Sequence, residues 1–156
     1  MYFPFSMWNY NSLENFGRVG DVEMDELSVW KRCGLNYPCL PHFSIKNTDL
    51  STIIPILDRA ESLGLKLILN IYELMYPFVH DYGEEGYRSL CRKVYSELRH
   101  PALFGLFIGD EPNGAQAFSD CVTAMRIQRE EMPELSPWVN FHTDMDSVDP
   151  SEFGGL

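Results

Sequence analysis

The sequence predicts an α/β fold, with five strands and four helices that read as the first five strands of a (β/α)8 barrel. Three observations predict it. Short apolar runs alternate with stretches of helical period along the 156 residues. Strand starts recur about every 30 to 37 residues, the size of a βα unit with its connections. No helical pattern follows the fifth strand, where the tail turns polar and glycine-rich. A complete five-stranded doubly wound sheet also fits the order of elements. That alternative calls for a closing helix and usually a glycine-rich phosphate loop after the first strand. Trp8-Asn9-Tyr10-Asn11 stands there instead. A whole barrel takes about 250 residues, so residues 1–156 read as one domain, about five-eighths of a ring.

The first strand, residues 3–8, is short and aromatic, and it begins the chain as written with no lead-in. Residues 21–33 have helical character, with Met24, Leu27, Val29 and Trp30 apolar and Gly34 as the stop. Residues 36–40 form the second strand. The next helix spans 52–63, and Pro55 sets its first turn near Thr52. Residues 65–71 are a near-continuous run of Leu and Ile, as a parallel strand covered on both faces requires. Tyr87, Leu90, Cys91, Val94, Tyr95 and Leu98 then recur on one face of a helix that ends at His100-Pro101. Residues 103–108 are the fourth strand. A helix over 115–131 buries Phe118, Cys121, Val122 and Met125, and residues 138–141 are the fifth strand.

Charge narrows the function classes. There are 23 acidic against 12 basic side chains, for a net charge of -11. Nucleic acid is excluded as a partner, because binding it requires clustered Lys and Arg. The longest uncharged apolar run, 102–109, is too short to cross a bilayer. No charged segment followed by an apolar one opens the chain, so no signal peptide is visible. The chain as written reads as cytoplasmic, and as secreted if sequence precedes it. Cys33, Cys39, Cys91 and Cys121 lack C-x-x-C spacing, and Cys91 and Cys121 fall on apolar helix stripes as buried thiols. No histidine has a second ligand at helical spacing, so neither a metal nor another cofactor is indicated.

In either architecture the chemistry lies at the carboxyl ends of the strands. Those ends carry Trp8 and Tyr10, His42, Tyr72 and Glu73, Asp110-Glu111-Pro112-Asn113, and Asn140 with His142. Aromatic rings cover the apolar face of a sugar, while carboxylates and amides bind its hydroxyls. A pair of carboxyl groups then supplies glycoside chemistry. The Asp110-Glu111-Pro112 sequence follows the fourth strand directly. Proline cannot continue a central ladder, so the strand ends at Glu111 or before. Adjacent acids at a partly buried strand end repel, which helps one of them keep a proton for general acid work. A solvated acidic turn that caps the next helix is the competing reading of these residues.

The stretch from His100-Pro101 through Phe104-Gly105 to Asp110-Glu111-Pro112-Asn113 resembles the strand-four signature of clan A glycoside hydrolases. More narrowly, it is similar to the β-galactosidase-like barrels that carry D-E-P. Phe5-Ser6-Met7-Trp8-Asn9-Tyr10 supports the resemblance, as do Trp30-Lys31-Arg32-Cys33-Gly34-Leu35-Asn36 and Ala60-Glu61-Ser62-Leu63-Gly64-Leu65-Lys66. The resemblance implies a retaining glycosidase with Glu111 as acid/base. It also implies a nucleophile after a seventh strand, beyond the end of this sequence. Many clan members have Asn before the acid/base, where it binds the sugar 2-hydroxyl. Here Asp110 stands there, and a carboxylate accepts from a hydroxyl but cannot donate. The expected substrate-binding set is Asp110, Trp8, Tyr10, His42, Tyr72, Glu73, Asn113, Asn140 and His142. The partner is a carbohydrate, and five strands alone would self-associate through the open barrel edge. A non-catalytic carbohydrate-binding relative of the barrel and a doubly wound small-ligand domain are the competing functions.

Overall fold

A computed structural model describes residues 5–7, 9, 11–19 and 22–141. Residues 5–7 are not a strand, and the rest of the expected first strand lies outside the described residues. The segment is nonetheless pinned, because the backbone N–H groups of Asn36 and Tyr37 donate to the Phe5 carbonyl at 3.1 and 3.2 Å. A 3-10 turn, Leu13–Asn15, follows. The chain then makes a small antiparallel hairpin, β1 (Arg18–Val19) and β2 (Val22–Glu23), where the sequence predicted a helix from residue 21. The reason lies in the polar atoms. Met24 N–H closes the hairpin on the Gly17 carbonyl at 2.7 Å. Asp25 starts α1 (Glu26–Arg32) by accepting from Ser28 N–H at 3.2 Å and from Ser28 Oγ at 2.6 Å. Arg59 grips the same carboxylate at 2.6 Å. Gly34 ends the helix with a φ of 86°, as its position predicted.

The second expected strand is reduced to single bridges. Pro38 inside it and Pro41 just after it lack the N–H that a ladder needs. Cys39 pairs in parallel with Ile68, Phe43 with Ile71, and Ser12 with His42. A 3-10 turn, Leu50–Ile53, runs into α2 (Ile54–Ser62), whose Pro55 sits in the first turn. The regular sheet is β3 (Leu67–Leu69), β4 (Leu103–Asp110) and β5 (Ser136–Asn140), all parallel. Between them lie α3 (Pro77–Leu98) and α4 (Ala115–Glu131). The α3 helix starts ten residues before its apolar stripe, and Gly83, with φ 67° and ψ 162°, kinks it.

Each paired segment therefore neighbours the next one in the chain, from 12 through 39–43 to β3, β4 and β5. A doubly wound sheet would reverse this order at a switch point, and the described residues contain no reversal. The result is a mixed α/β fold with a three-stranded parallel sheet and four α-helices among the described residues.

Both faces of the sheet are apolar. Leu67, Leu69, Ile71, Leu106 and Ile108 pack with the helices in the main core. Ile68, Phe107 and Cys39 face the other way, with Tyr37, Phe104, Met75 and Trp138 around them. The helix side is locked by α3 against α4. Buried Tyr87 donates to the Leu74 carbonyl at 2.5 Å and accepts from Gln128 Nε2 at 2.8 Å. Above this pair, Arg88 meets Glu131 and Glu130 at 2.5 and 2.6 Å, and Arg92 meets Glu131 at 2.7 Å. Cys91 and Cys121 are buried on these helices as predicted, and burial pushes both thiols up to about 12.

Candidate functional site

The site is built by irregularities in β4. Phe104 is an extra residue against β3, because Leu67 pairs with Leu103 but Ile68 with Gly105. Ile108 is an extra residue against β5, because Phe107 pairs with Trp138 and Gly109 with Val139. A bulge bends a strand and re-aims the side chains that follow. Two close approaches fix the bend. A Cβ on Gly105 would lie 2.0 Å from the Ser136 carbonyl oxygen. At Gly109, with φ 151°, a Cβ would lie 2.3 Å from Tyr76 Cδ1, so the Tyr76 ring rests directly on that backbone. Tyr76 N–H also donates to the Ile108 carbonyl at 2.6 Å. Burial pushes the Tyr76 hydroxyl upward, and Cys121 and Asp110 add to the shift.

The strand then ends in strain. Glu111 holds a φ of 41°, the left-handed region that a side chain rarely adopts. Residues held there cost about 1–3 kcal/mol and persist only where neighbours impose them. Here the neighbour is Asn140 at the end of β5. Its carbonyl accepts Glu111 N–H at 2.8 Å, and its Nδ2 donates to Asp110 Oδ1 at 2.8 Å. One residue thus holds the Asp110 carboxylate and the Glu111 backbone. Pro112 is buried behind them and stops the ladder, and Gly114, with φ 83°, turns the chain into α4. Both acids are exposed rather than partly buried as the sequence suggested, although Asp110 still pairs with Asn140 in the ladder. Water therefore screens their mutual repulsion.

The other predicted positions divide. Tyr72 is 52% exposed at the exit of β3, and Asn113 is exposed beside the acids. His42 is exposed at the end of the 39–43 segment, its carbonyl accepting Leu13 N–H at 3.4 Å. Glu73 follows β3 but turns inward and is buried. One of its oxygens accepts from Ser44 Oγ and the other from Ile45 N–H at 3.0 Å, so it staples the 44–45 loop to the strand exit. Asn140 spends its amide on Asp110. Trp8, Tyr10 and His142 lie outside the described residues.

Asn70, which follows β3, belongs to the third strand end that the sequence marks, but it stands outside the expected binding set. The residue is only 9% exposed, and its Oδ1 is buried with no hydrogen-bond partner. The signal was present: it is the one amide in the apolar run 65–71. Tyr76 was missed too, and its signal was Gly109, a glycine at the strand end that invites close approach. Among the described residues, no group of three His, Cys, Asp or Glu side chains is placed to hold a metal ion. No helix there is long and apolar enough to cross a membrane.

No protein-family model and no curated protein matches the sequence. Among solved structures, a glucosidase from Croceicoccus marinus aligns with 86% of this chain at 14% sequence identity and a TM-score of 0.49. The chain spans 35% of the length of that glucosidase.

Proposed function

We propose that this chain is part of a retaining glycoside hydrolase of (β/α)8 architecture and that Glu111 is its acid/base. The observation that carries the reading is the Asn140 clamp. It holds two acids at the carboxyl end of a central parallel strand, the second of them in a strained conformation. Strain kept at an exposed acid supports a demand of function over one of folding. The sequential order of parallel segments supports barrel winding, which places its catalytic groups at this end.

In this reading the Glu111 carboxyl donates its proton to the glycosidic oxygen as the bond to the anomeric carbon breaks. A nucleophilic carboxylate supplied beyond residue 156 takes the anomeric carbon as an ester. Glu111, now ionised, then takes a proton from water as that water displaces the ester. Asp110, oriented by Asn140, accepts from a sugar hydroxyl, and Asn113, Tyr72 and His42 line the approach. The edge of β5 is where the remaining strands add, and self-association occurs there when they are missing.

The test is leaving-group dependence in the intact protein. Glu111→Gln lowers cleavage of glycosides with poor leaving groups by about 10²–10⁴-fold. It lowers cleavage of activated aryl glycosides far less, because these need no proton to depart. Equal losses on both substrates, or no loss, would contradict the assignment.

A further inference from the structure

The turn that carries the chain from the acids into α4 holds a reactive pair. Asn113-Gly114 is the one Asn-Gly sequence in the chain. An asparagine side chain lies within reach of the backbone nitrogen that follows it, and that nitrogen can attack the amide carbon. Glycine presents the least shielded nitrogen, because it has no Cβ. A fold can still block the attack, by burying the amide or by tying up the nitrogen.

Here it does neither. Asn113 and Gly114 are both exposed. Gly114 has a φ of 83° and a ψ of 159°, outside the helix, and a Cβ built on it would meet nothing within 4 Å. Among the described residues, its N–H donates to no carbonyl, and the Asn113 amide has no hydrogen-bond partner. Other asparagines are blocked. The nitrogens after Asn15, Asn36 and Asn47 donate to the carbonyls of Leu13, Phe5 and Ser44 at 3.0, 3.2 and 2.9 Å. Asn70 is buried, and Asn140 commits its Nδ2 to Asp110. The 17-residue helix α4 adds an electrostatic push, because its positive end lies at Gly114. That end favours both loss of the Gly114 N–H proton and a new negative charge at position 113. Asp110 and Glu111 oppose this, but they are exposed, and water screens them.

We propose that Asn113-Gly114 is a self-modification site, where the turn beside the acids converts its own amide to a carboxylate. The Gly114 nitrogen bonds to Asn113 Cγ and gives up its proton. The Cγ–Nδ2 bond breaks, and ammonia leaves with that proton, so a five-membered imide remains. Water then opens one of the two imide C–N bonds. One opening leaves aspartate at position 113. The other leaves isoaspartate, in which the main chain runs through the side-chain carbon and is one atom longer between Pro112 and Gly114. Either product adds a third carboxylate to the turn that carries Asp110 and Glu111. It also replaces a group that donates hydrogen bonds with one that only accepts them. The site goes beyond the hydrolase reading and does not depend on it.

The intact protein is held in warm, mildly alkaline buffer, sampled over days, digested with trypsin and read by mass spectrometry. Peptide 100–126 contains Asn113 as its single asparagine, while peptides 33–46 and 47–59 contain Asn36 and Asn47. Peptide 100–126 acquires the acid form about tenfold faster than either of the others. Isoaspartate methyltransferase labels it with a methyl group from S-adenosylmethionine. The whole protein gains one negative charge and co-elutes with the Asn113→Asp variant on native ion exchange. Asn113→Gln, a change at an exposed position, keeps the melting temperature and loses both signals. Equal rates in the three peptides, or reaction at position 113 only after unfolding in urea, overturns the proposal.

Discussion

The α3–α4 face and the rim at the ends of β3–β5 belong to one sheet but are held by opposite means. On the helix face the polar groups that join α3 to α4 are paired. Tyr87, Gln128 and the Leu74 carbonyl satisfy one another in the core, and Arg88, Arg92 and Arg126 are paired with Glu84, Glu130 and Glu131. On the rim, Glu111 is strained, Asn70 holds an orphaned oxygen, and the two acids lie exposed with Asn140 holding them together. Stability is concentrated in the first region and sacrificed in the second. That division is expected where a scaffold carries a site.

Four variants test this contrast, and the largest effect is at the hinge between the two regions. Gly105→Ala forces a methyl group onto the Ser136 carbonyl oxygen and separates β5 from β4. It costs about 3 kcal/mol or more, read as the loss of melting temperature. A stable Gly105→Ala protein would mean that β5 is not docked as described. Tyr87→Phe comes next, with a cost of about 1–2 kcal/mol in chemical denaturation, because it strips a buried carbonyl and a buried amide of a shared partner.

The third test uses pH. Asp25 is held down to about 2 by Arg59 and by Ser28 at the start of α1. A lowered carboxylate stabilises the fold above its ordinary value, 3.8, and that stabilisation fades as pH falls toward about 2. Asp25→Asn therefore narrows the stability difference between pH 5 and pH 2 in acid titrations followed by circular dichroism. An identical acid profile for the variant would remove the cap from the account. Glu130 and Glu131 are lowered by their arginines, and Glu134 by the Tyr95 hydroxyl and Arg99, so a residual slope of the same sign persists in Asp25→Asn.

The same contrast explains what the sequence disclosed. The helix face was legible because its pattern is a sum of many apolar positions: the 87–98 stripe and the helix at 115–131 needed no single residue to be right. The acid pair was legible because proline and glycine frame it. The hairpin at 18–23 was not, because four strand residues carry no period and Asp25 alone decides where the helix begins. The bulges at Phe104 and Ile108 were not legible either. They come from a register offset against two neighbouring strands, which no local pattern in β4 encodes.

The fourth variant is the smallest in stability and the most direct test of the central claim, that the β4 exit keeps strain for the sake of an acid. Glu111→Gly places at φ 41° the one residue that tolerates it freely. The account predicts a protein more stable by about 1 kcal/mol that has lost cleavage of glycosides with poor leaving groups. A protein that is less stable, or that retains that cleavage, would contradict it.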